Sequence, residues 1–387
     1  MSRQGLDVVP LAVGREEAIR LGKRYVHNDI CFPAQIVIGE VLAELERGGH
    51  DPDRTAVMMA KYVGDCRLTH YGALLRKALD DAGYAQVPII TNDGTDSHDL
   101  HPGFRLGVPA SADFVLAIAM VDVYEALLRR VRPYETEAGA ADVAFERAMD
   151  GLVAGVREHG ARGALDAFAR GLEALSAVPH DRSHPRPRVL IVGEYLLNFH
   201  PGANHEIERY LEANGLEIVE ARMADVIRKS YSYKHAQARE YHASIPARER
   251  AWNALADALF STALALVDRV ARDFPLYERP ASMAQLAERS DPIIPHTFDA
   301  GEGILIPEEI LTQAERGVRN FVILQPFGCL PNHVVGRGII KRVKELYPDA
   351  QVLPLDYDPD VSQANIENRL QMLVMDARPD VAPEGER

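Results

Sequence analysis

Short apolar runs alternate with amphipathic stretches along much of this chain. The runs are bounded by Gly, Asp or Pro and have the length of buried strands, whereas the stretches between them carry apolar residues at helical spacing. This alternation favours βαβ units and parallel sheets. The predicted strands are 55–60, 87–91, 188–193, 216–220, 321–325 and 351–355.

The helical pattern covers more of the chain than the strand pattern. The predicted helices are 16–25, 34–47, 68–82, 112–132, 141–177, 205–213, 247–273, 334–346 and 363–377, with one more beginning at Pro307. Gly48 and Gly49 suit the end of the second helix, and Gly83 suits the end of the third. Ser362 suits the N-cap of the last helix.

One segment, 179–187, carries three prolines among polar residues and reads Pro-His-Asp-Arg-Ser-His-Pro-Arg-Pro. Such a composition cannot sustain a helix or an inner strand, so we interpret it as a linker. We expect an N-terminal α/β domain with a helical extension at 1–178 and a C-terminal α/β domain at 188–378. Residues 379–387 are expected to be a disordered tail.

Length and charge narrow the possible partners. The chain has 387 residues, 47% of them hydrophobic, which is enough for two cores. Its formal charge is −14 and it has no basic run that could follow a phosphate backbone, so we expect no nucleic acid partner.

The longest apolar run, 114–121, is too short to span a bilayer, and no signal stretch opens the sequence. We therefore expect a cytoplasmic protein without a membrane partner.

The three cysteines, Cys31, Cys66 and Cys329, each lie in a loop directly before a helical pattern. A thiolate at a helix N-terminus faces unsatisfied backbone N–H groups and the positive end of the helix dipole, which favour its charged form. Cys66 and Cys329 also follow predicted strands in opposite halves of the chain, where loops at the carboxyl ends of parallel strands can meet. The pattern indicates one iron–sulfur site with three protein ligands, in which one iron has no protein ligand and stays open to substrate, water or a bridging sulfide.

Other interpretations of the cysteines remain open at this point. Their wide separation fits no zinc-knuckle or thioredoxin spacing, and an odd number cannot pair completely as disulfides. Three thiols filling the core as small apolar side chains are one alternative. A zinc-dependent hydrolase with cysteine and histidine ligands is another.

Around these cysteines, and at several other places, the sequence resembles the 2-hydroxyacyl-CoA dehydratase and benzoyl-CoA reductase family. It is most similar to the dehydratase-like part of acyl-CoA dehydratase activase-related proteins. The resemblance covers most of the chain. The segments that carry it are 25–33 (YVHNDICFP), 64–71 (GDCRLTHY), 132–135 (RPYE), 301–303 (GEG), 325–333 (QPFGCLPNH) and 355–359 (LDYDP), with Asn365, Asn368 and Arg369.

The resemblance implies two Rossmann-like domains with the cluster site between them. It implies that Cys31, Cys66 and Cys329 hold a [4Fe-4S] cluster, or half of a double-cubane cluster shared across a dimer. It also implies an ATP-dependent activator protein with its own iron–sulfur cluster, and a homodimer or a heterodimer with a related subunit. The function expected from it is the electron-accepting component of a dehydratase or reductase acting on an acyl-CoA or another small molecule. A non-catalytic cluster carrier is the alternative within this class.

Three features affect how far the resemblance extends. No Gly-x-x-x-x-Gly-Lys-Ser/Thr loop occurs, so ATP hydrolysis is expected in a partner. Only thirty residues precede Cys31, fewer than in the family, so we expect a missing N-terminal segment or a separate partner chain. Lys61-Tyr62-Val63 and Asp65 replace the residue types usual in the family, which bears on the choice of substrate.

Several polar residues near the cysteine loops are further candidates. Arg67 could offset cluster charge or bind a CoA phosphate, and Glu302 lies between two glycines in a loop that could approach the site. An ordinary salt bridge and a simple turn explain them as well. The other candidates are His27, His70, His200, His205, His333, Asp356 and Asp358, for which surface, capping or turn roles are the simpler interpretation.

Overall fold

The computed structural model of the chain describes residues 7–11, 14–27, 30–59, 65–91, 108–298 and 300–378, without the side chains of residues 108 and 109. Some of the sequence predictions fall elsewhere. Asn28 and Asp29, the loop 60–64 with Lys61-Tyr62-Val63, Asp299 and the predicted tail 379–387 lie outside the described residues.

The strands of the described residues form two parallel sheets. They are β1 Val57–Met58, β2 Ile89–Ile90, β3 Arg188–Gly193, β4 Glu217–Glu220, β5 Asn320–Pro326 and β6 Gln351–Tyr357. β1 pairs with β2, and the larger sheet has the order β4-β3-β5-β6, with every neighbouring pair parallel. The chain is thus a mixed α/β protein with two parallel sheets, which confirms the prediction at this level. The carboxyl ends of β3, β5 and β6 lie at one edge, where Gly193 is opposite Leu324.

Helices make up most of the rest of the described chain. They are α1 Arg15–Tyr25, α2 Phe32–Arg47, α3 Tyr71–Asp81, α4 Val108–Val131, α5 Ala140–Ser176, α6 Tyr195–Phe199, α7 Pro201–Asn204, α8 Ile207–Ala213, α9 Met223–Ser232, α10 Lys234–Glu240, α11 Ala247–Ala271, α12 Met283–Ser290, α13 Leu305–Glu315, α14 Ile340–Leu346 and α15 Gln363–Ala377. Short 3₁₀ turns precede α3 and follow α4. Residues 179–187 contain neither helix nor strand apart from one isolated bridge between Glu135 and His180.

Several predicted elements differ from the observed ones. The strands predicted at 55–60 and 87–91 pair over two residues each. The helix predicted at 205–213 begins at Ile207, because His205 and Glu206 have left-handed φ values of 59° and 53°. The helix predicted at 334–346 is divided into a π-helical turn, Asn332–Gly336, and α14. The described structure also contains α9, α10 and α12, which the pattern did not predict.

Both faces of the four-stranded sheet are covered by helices. One face packs against α1, α2, α8 and α15, and Phe32 and Ile36 of α2 are fully buried there. The other face packs against α13 and α14. Because α2 starts at Phe32, this packing fixes the backbone directly after Cys31 against the sheet.

A second large core is formed by helices alone. It joins α4, α5 and α11, with Tyr124 and Phe168 fully buried at its centre. Arg129 connects this helical layer to the sheet side of the molecule through ion pairs with Glu208 and Glu220. Among the residues that the structure describes, no helix combines the length and the apolar character needed to cross a membrane.

Candidate functional site

Cys31 is the N-cap residue of α2. Its backbone is extended (φ −67°, ψ 150°), and Pro33 follows within the first turn, where a missing N–H costs nothing. The side chain is 5% exposed and belongs to the small N-terminal core. Its Sγ atom lies 2.6 Å from the hydroxyl oxygen of Tyr71, the first residue of α3.

Cys66 is the N-cap residue of the 3₁₀ turn Arg67–His70. Its backbone is also extended (φ −111°, ψ 141°), and its carbonyl oxygen accepts hydrogen bonds from the backbone N–H and the hydroxyl of Thr69. α3 follows this turn without interruption. The segment therefore presents Cys66 and Tyr71 from one short rigid element.

Cys329 follows β5 through a tight turn. Gly328 has a left-handed φ of 78°, which a residue with a side chain rarely adopts, and this reverses the chain between Phe327 and Cys329. Cys329 is 7% exposed and its carbonyl oxygen accepts the backbone N–H of His333 at the start of the π-helical turn. Like the other two cysteines, it therefore precedes a helical turn.

The three cysteine loops lie close to one another, with glycine residues at the points of closest approach. A Cβ atom added at Gly328 would lie 4.0 Å from the Cα atom of Cys31, and one added at Gly301 would lie 3.4 Å from the Cβ atom of Cys66. The neighbour of Gly301, Glu302, places its Oε1 atom 3.9 Å from the Sγ atom of Cys329. The structure thus brings together three cysteines that are separated by up to 298 positions in the sequence.

Burial raises the pKa values of these three thiols. It raises the pKa of Cys31 to about 11 and that of Cys66 to about 12, and it raises the pKa of Cys329 further still. The backbone N–H groups of Ala34, Leu68 and Asn332 act in the opposite direction on Cys31, Cys66 and Cys329 respectively. Without a metal the thiols therefore stay protonated at neutral pH, and the amide dipoles point to where a thiolate would form.

Two carboxyl groups share this site, that of the buried Glu302 and that of the half-buried Glu194. Glu302 accepts a hydrogen bond of 2.6 Å from the Asn332 side chain, which also donates to the Cys329 sulfur at 3.1 Å. Glu194, directly after β3, accepts the backbone N–H of Leu197 at 2.9 Å and caps α6. Burial raises the pKa of Glu194 and of Glu302, and the charge of Glu302 adds to the effect on Glu194.

The carboxyl groups and the thiols form one electrostatic unit. The negative charges of Glu194 and Glu302 both contribute to the raised pKa values of Cys66 and Cys329, and Glu194 contributes to that of Cys31. The buried side chain of Lys229 acts on Glu302 with the opposite sign. Glu194 was not among the sequence candidates, although a glutamate directly after a buried strand that ends in Gly193 is a signal that could have identified it.

The remaining sequence candidates are spread over the neighbourhood and the surface. His333 Nδ1 contacts the Cys329 carbonyl oxygen at 2.9 Å, and Asp356 pairs with Arg337. Arg67 lies near Gly328, because a Cβ atom added there would be 3.5 Å from its Nη1 atom. His27 and His70 are exposed. His200 pairs with Glu40 at 3.0 Å, and the ring of His205 stacks on that of Tyr357. The Asp358 carboxylate accepts a hydrogen bond from the backbone N–H of Asp360.

The donor set fits an iron–sulfur cluster. It offers three soft thiol ligands in an enclosed place, each facing a backbone N–H that favours the thiolate. Among the described residues, no group of three or more His, Cys, Asp or Glu side chains could hold a metal ion. That finding concerns ligands around one ion and does not test a cluster, whose thiolates bind different irons. A cavity of about 620 Å³ lies elsewhere, beside Tyr134 and Arg186, and no cysteine lines it.

Comparison with known proteins adds no assignment to this geometry. No protein-family model matches the chain. No curated protein matches it either.

Proposed function

We propose that this chain is the electron-accepting iron–sulfur component of a 2-hydroxyacyl-CoA dehydratase-like or reductase system. In this proposal Cys31, Cys66 and Cys329 hold a [4Fe-4S] cluster, or half of a double-cubane cluster, between two Rossmann-like domains. The observation that carries it is the convergence of three cysteines from distant loops, each of which precedes a helical turn. The resemblance of the segments around those cysteines to the dehydratase family supports the same assignment.

When bound, the cluster would supply one-electron chemistry and an iron without a protein ligand. The chain's own residues supply the environment. Burial keeps water from the sulfurs, and the amide N–H groups of Ala34, Leu68 and Asn332 stabilise negative charge on them. Glu302, held by Asn332, places a carboxyl group next to the Cys329 sulfur where a proton can be held close to substrate.

The partners in this proposal are a reductant and a second subunit. An ATP-dependent activator with its own iron–sulfur cluster would deliver the electron, since the sequence has no phosphate-binding loop of its own. The second subunit would be another copy of this chain or a related one. A cytoplasmic location belongs to the same proposal.

Anaerobic purification followed by iron, sulfide and zinc analysis tests the cluster assignment. We expect a brown protein with about four irons per chain. Cys31→Ser, Cys66→Ser and Cys329→Ser should each lose most of that iron. Met372→Ser, which removes an exposed sulfur on α15, should keep it. A colourless, iron-free protein from cells that build clusters would overturn the proposal, and stoichiometric zinc would support the hydrolase instead.

Turnover separates the enzyme from a cluster carrier. The protein with its cluster oxidised is mixed anaerobically with an activator, dithionite as the electron source, ATP and Mg²⁺, and either a 2-hydroxyacyl-CoA or benzoyl-CoA. The products are separated by chromatography. Product formation that needs ATP supports the component proposed here. A cluster that is reduced by the activator but converts neither thioester, and is instead transferred to an apo-acceptor protein, supports the carrier.

A further inference from the structure

The hydroxyl group of Tyr71 makes a contact in this site that neither the sequence motifs nor the ligand assignment requires. Its oxygen lies 2.6 Å from the Cys31 sulfur, and both side chains are at most 5% exposed. Tyr71 begins α3, five residues after Cys66. The hydrogen bond therefore connects the segment that carries Cys66 with the sulfur of Cys31.

The direction of this hydrogen bond depends on whether the sulfur carries a proton. In the free thiol either atom can be the donor. A thiolate that ligates iron has no proton, so only the tyrosine hydroxyl can donate. A tyrosine hydroxyl has an ordinary pKa of about 10, so it has a proton to donate at neutral pH.

The apolar surroundings of this hydrogen bond strengthen its effect on the charge of the Cys31 sulfur. Tyr71 and Cys31 belong to the same apolar cluster as Ile38 and Leu75, so few other dipoles screen the interaction. Hydrogen bonds to the sulfurs are among the factors that set the reduction potential of an iron–sulfur cluster. A donor to a thiolate stabilises the reduced cluster more than the oxidised one, because the reduced cluster carries one more negative charge.

We propose that Tyr71 is a positioning residue that favours reduction of the cluster by donating its hydroxyl hydrogen to the Cys31 sulfur. This inference rests on the proposed function. It assigns to Tyr71 an effect on the redox equilibrium and no direct contact with substrate. Removing the hydroxyl should leave the cluster bound but harder to reduce.

The test is a redox titration of the cluster in Tyr71→Phe, followed by electron paramagnetic resonance. At the potential where the wild-type cluster is half reduced, the ratio of reduced to oxidised cluster should fall about tenfold, which for one electron corresponds to 59 mV. Tyr124→Phe is the matched control. Its buried hydroxyl donates to the carbonyl oxygens of Ala167 and Phe168 in the helical core, so its loss should leave the ratio unchanged.

A second measurement covers the case in which Tyr71→Phe does not hold the cluster. Wild-type protein in which every tyrosine is replaced by 3-fluorotyrosine has more acidic hydroxyl groups, which are stronger hydrogen-bond donors. Its ratio of reduced to oxidised cluster should therefore rise. Tyr124→Phe labelled in the same way should show the same rise. An unchanged ratio in either Tyr71→Phe or the labelled wild type, with iron content intact, would overturn the role of Tyr71. That result would leave the cluster assignment standing, whereas an iron-free wild-type protein would overturn both.

Discussion

The crossing of α1 and α2 offers the sharpest test of the backbone that positions Cys31. Gly39 in the middle of α2 lies against α1, and a Cβ atom added there would be 1.8 Å from the Ala18 carbonyl oxygen. Ordinary contacts begin near 3.4 Å, so Gly39→Ala requires the helices to separate by about 1.6 Å. The obstacle is backbone, which cannot turn aside as a flexible side chain could.

The magnitude follows from two opposing terms. Forcing extra atoms into a well-packed contact costs about 1–3 kcal/mol, and a clash with backbone belongs at the upper end of that range. Alanine is favoured over glycine in a helix by about 1 kcal/mol, which offsets part of the cost. We expect Gly39→Ala to lower the free energy of unfolding by about 2 kcal/mol.

Gly151→Ala in α5 is the matched control, because no atom lies within 4 Å of the added Cβ. It should raise the free energy of unfolding by up to about 1 kcal/mol, so the two variants should differ by about 3 kcal/mol. Urea unfolding followed by circular dichroism measures both. If Gly39→Ala is as stable as Gly151→Ala, the backbones of α1 and α2 are not in contact and the crossing of these two helices is wrong.

Two further predictions concern buried charges. Arg129→Met leaves Glu220 buried without its cation and should lower the free energy of unfolding by about 3–5 kcal/mol in urea. Arg20→Met, at an exposed pair that solvent screens, should leave the free energy of unfolding nearly unchanged. Burial raises the pKa of Glu308 to about 8 from an ordinary value of 4.5, despite the hydroxyl donated by Tyr233. Because the folded-state value is the higher one, wild-type stability should fall as the pH rises from about 4.5 to about 8. Glu308→Gln should lack that fall, which is on the order of 5 kcal/mol, and unfolding free energies that change in parallel over this pH range would contradict the reasoning.

The parts of the fold that the sequence predicted are those with local signals. β3 was predicted at its observed bounds, because an apolar run that ends in glycine follows a proline-rich segment, and five of its six residues are buried. α15 was predicted with its cap, and the Ser362 hydroxyl accepts the Asn365 N–H at 3.2 Å. α12 was missed, although Ser282 and Gln285 form a capping box that the sequence already contains.

The sequence contains no local signal for contacts between side chains of distant segments. The Gly and Pro residues beside each cysteine predicted loops ahead of helices, and the structure has the cysteines in those positions. The contacts of Tyr71 with Cys31 and of Asn332 with Glu302 depend on how helices and loops are placed in three dimensions. Neither hydrophobic periodicity nor residue spacing encodes that placement.

Binding of the proposed cluster should change the number of protons that the site holds. Cys31, Cys329 and Glu302 are buried, and Cys66 and Glu194 are half-buried beside them. Desolvation raises the pKa of each group because the charged forms are poorly solvated there. The metal-free site is therefore neutral only while these groups keep their protons. An iron–sulfur core replaces the thiol protons with positive charge, so loading should release about three protons per chain at neutral pH. The charge of Lys229 lowers the pKa of Glu302 and of Glu308, but burial raises the pKa of Glu302 more strongly, which favours keeping a proton on Glu302 beside the Cys329 sulfur.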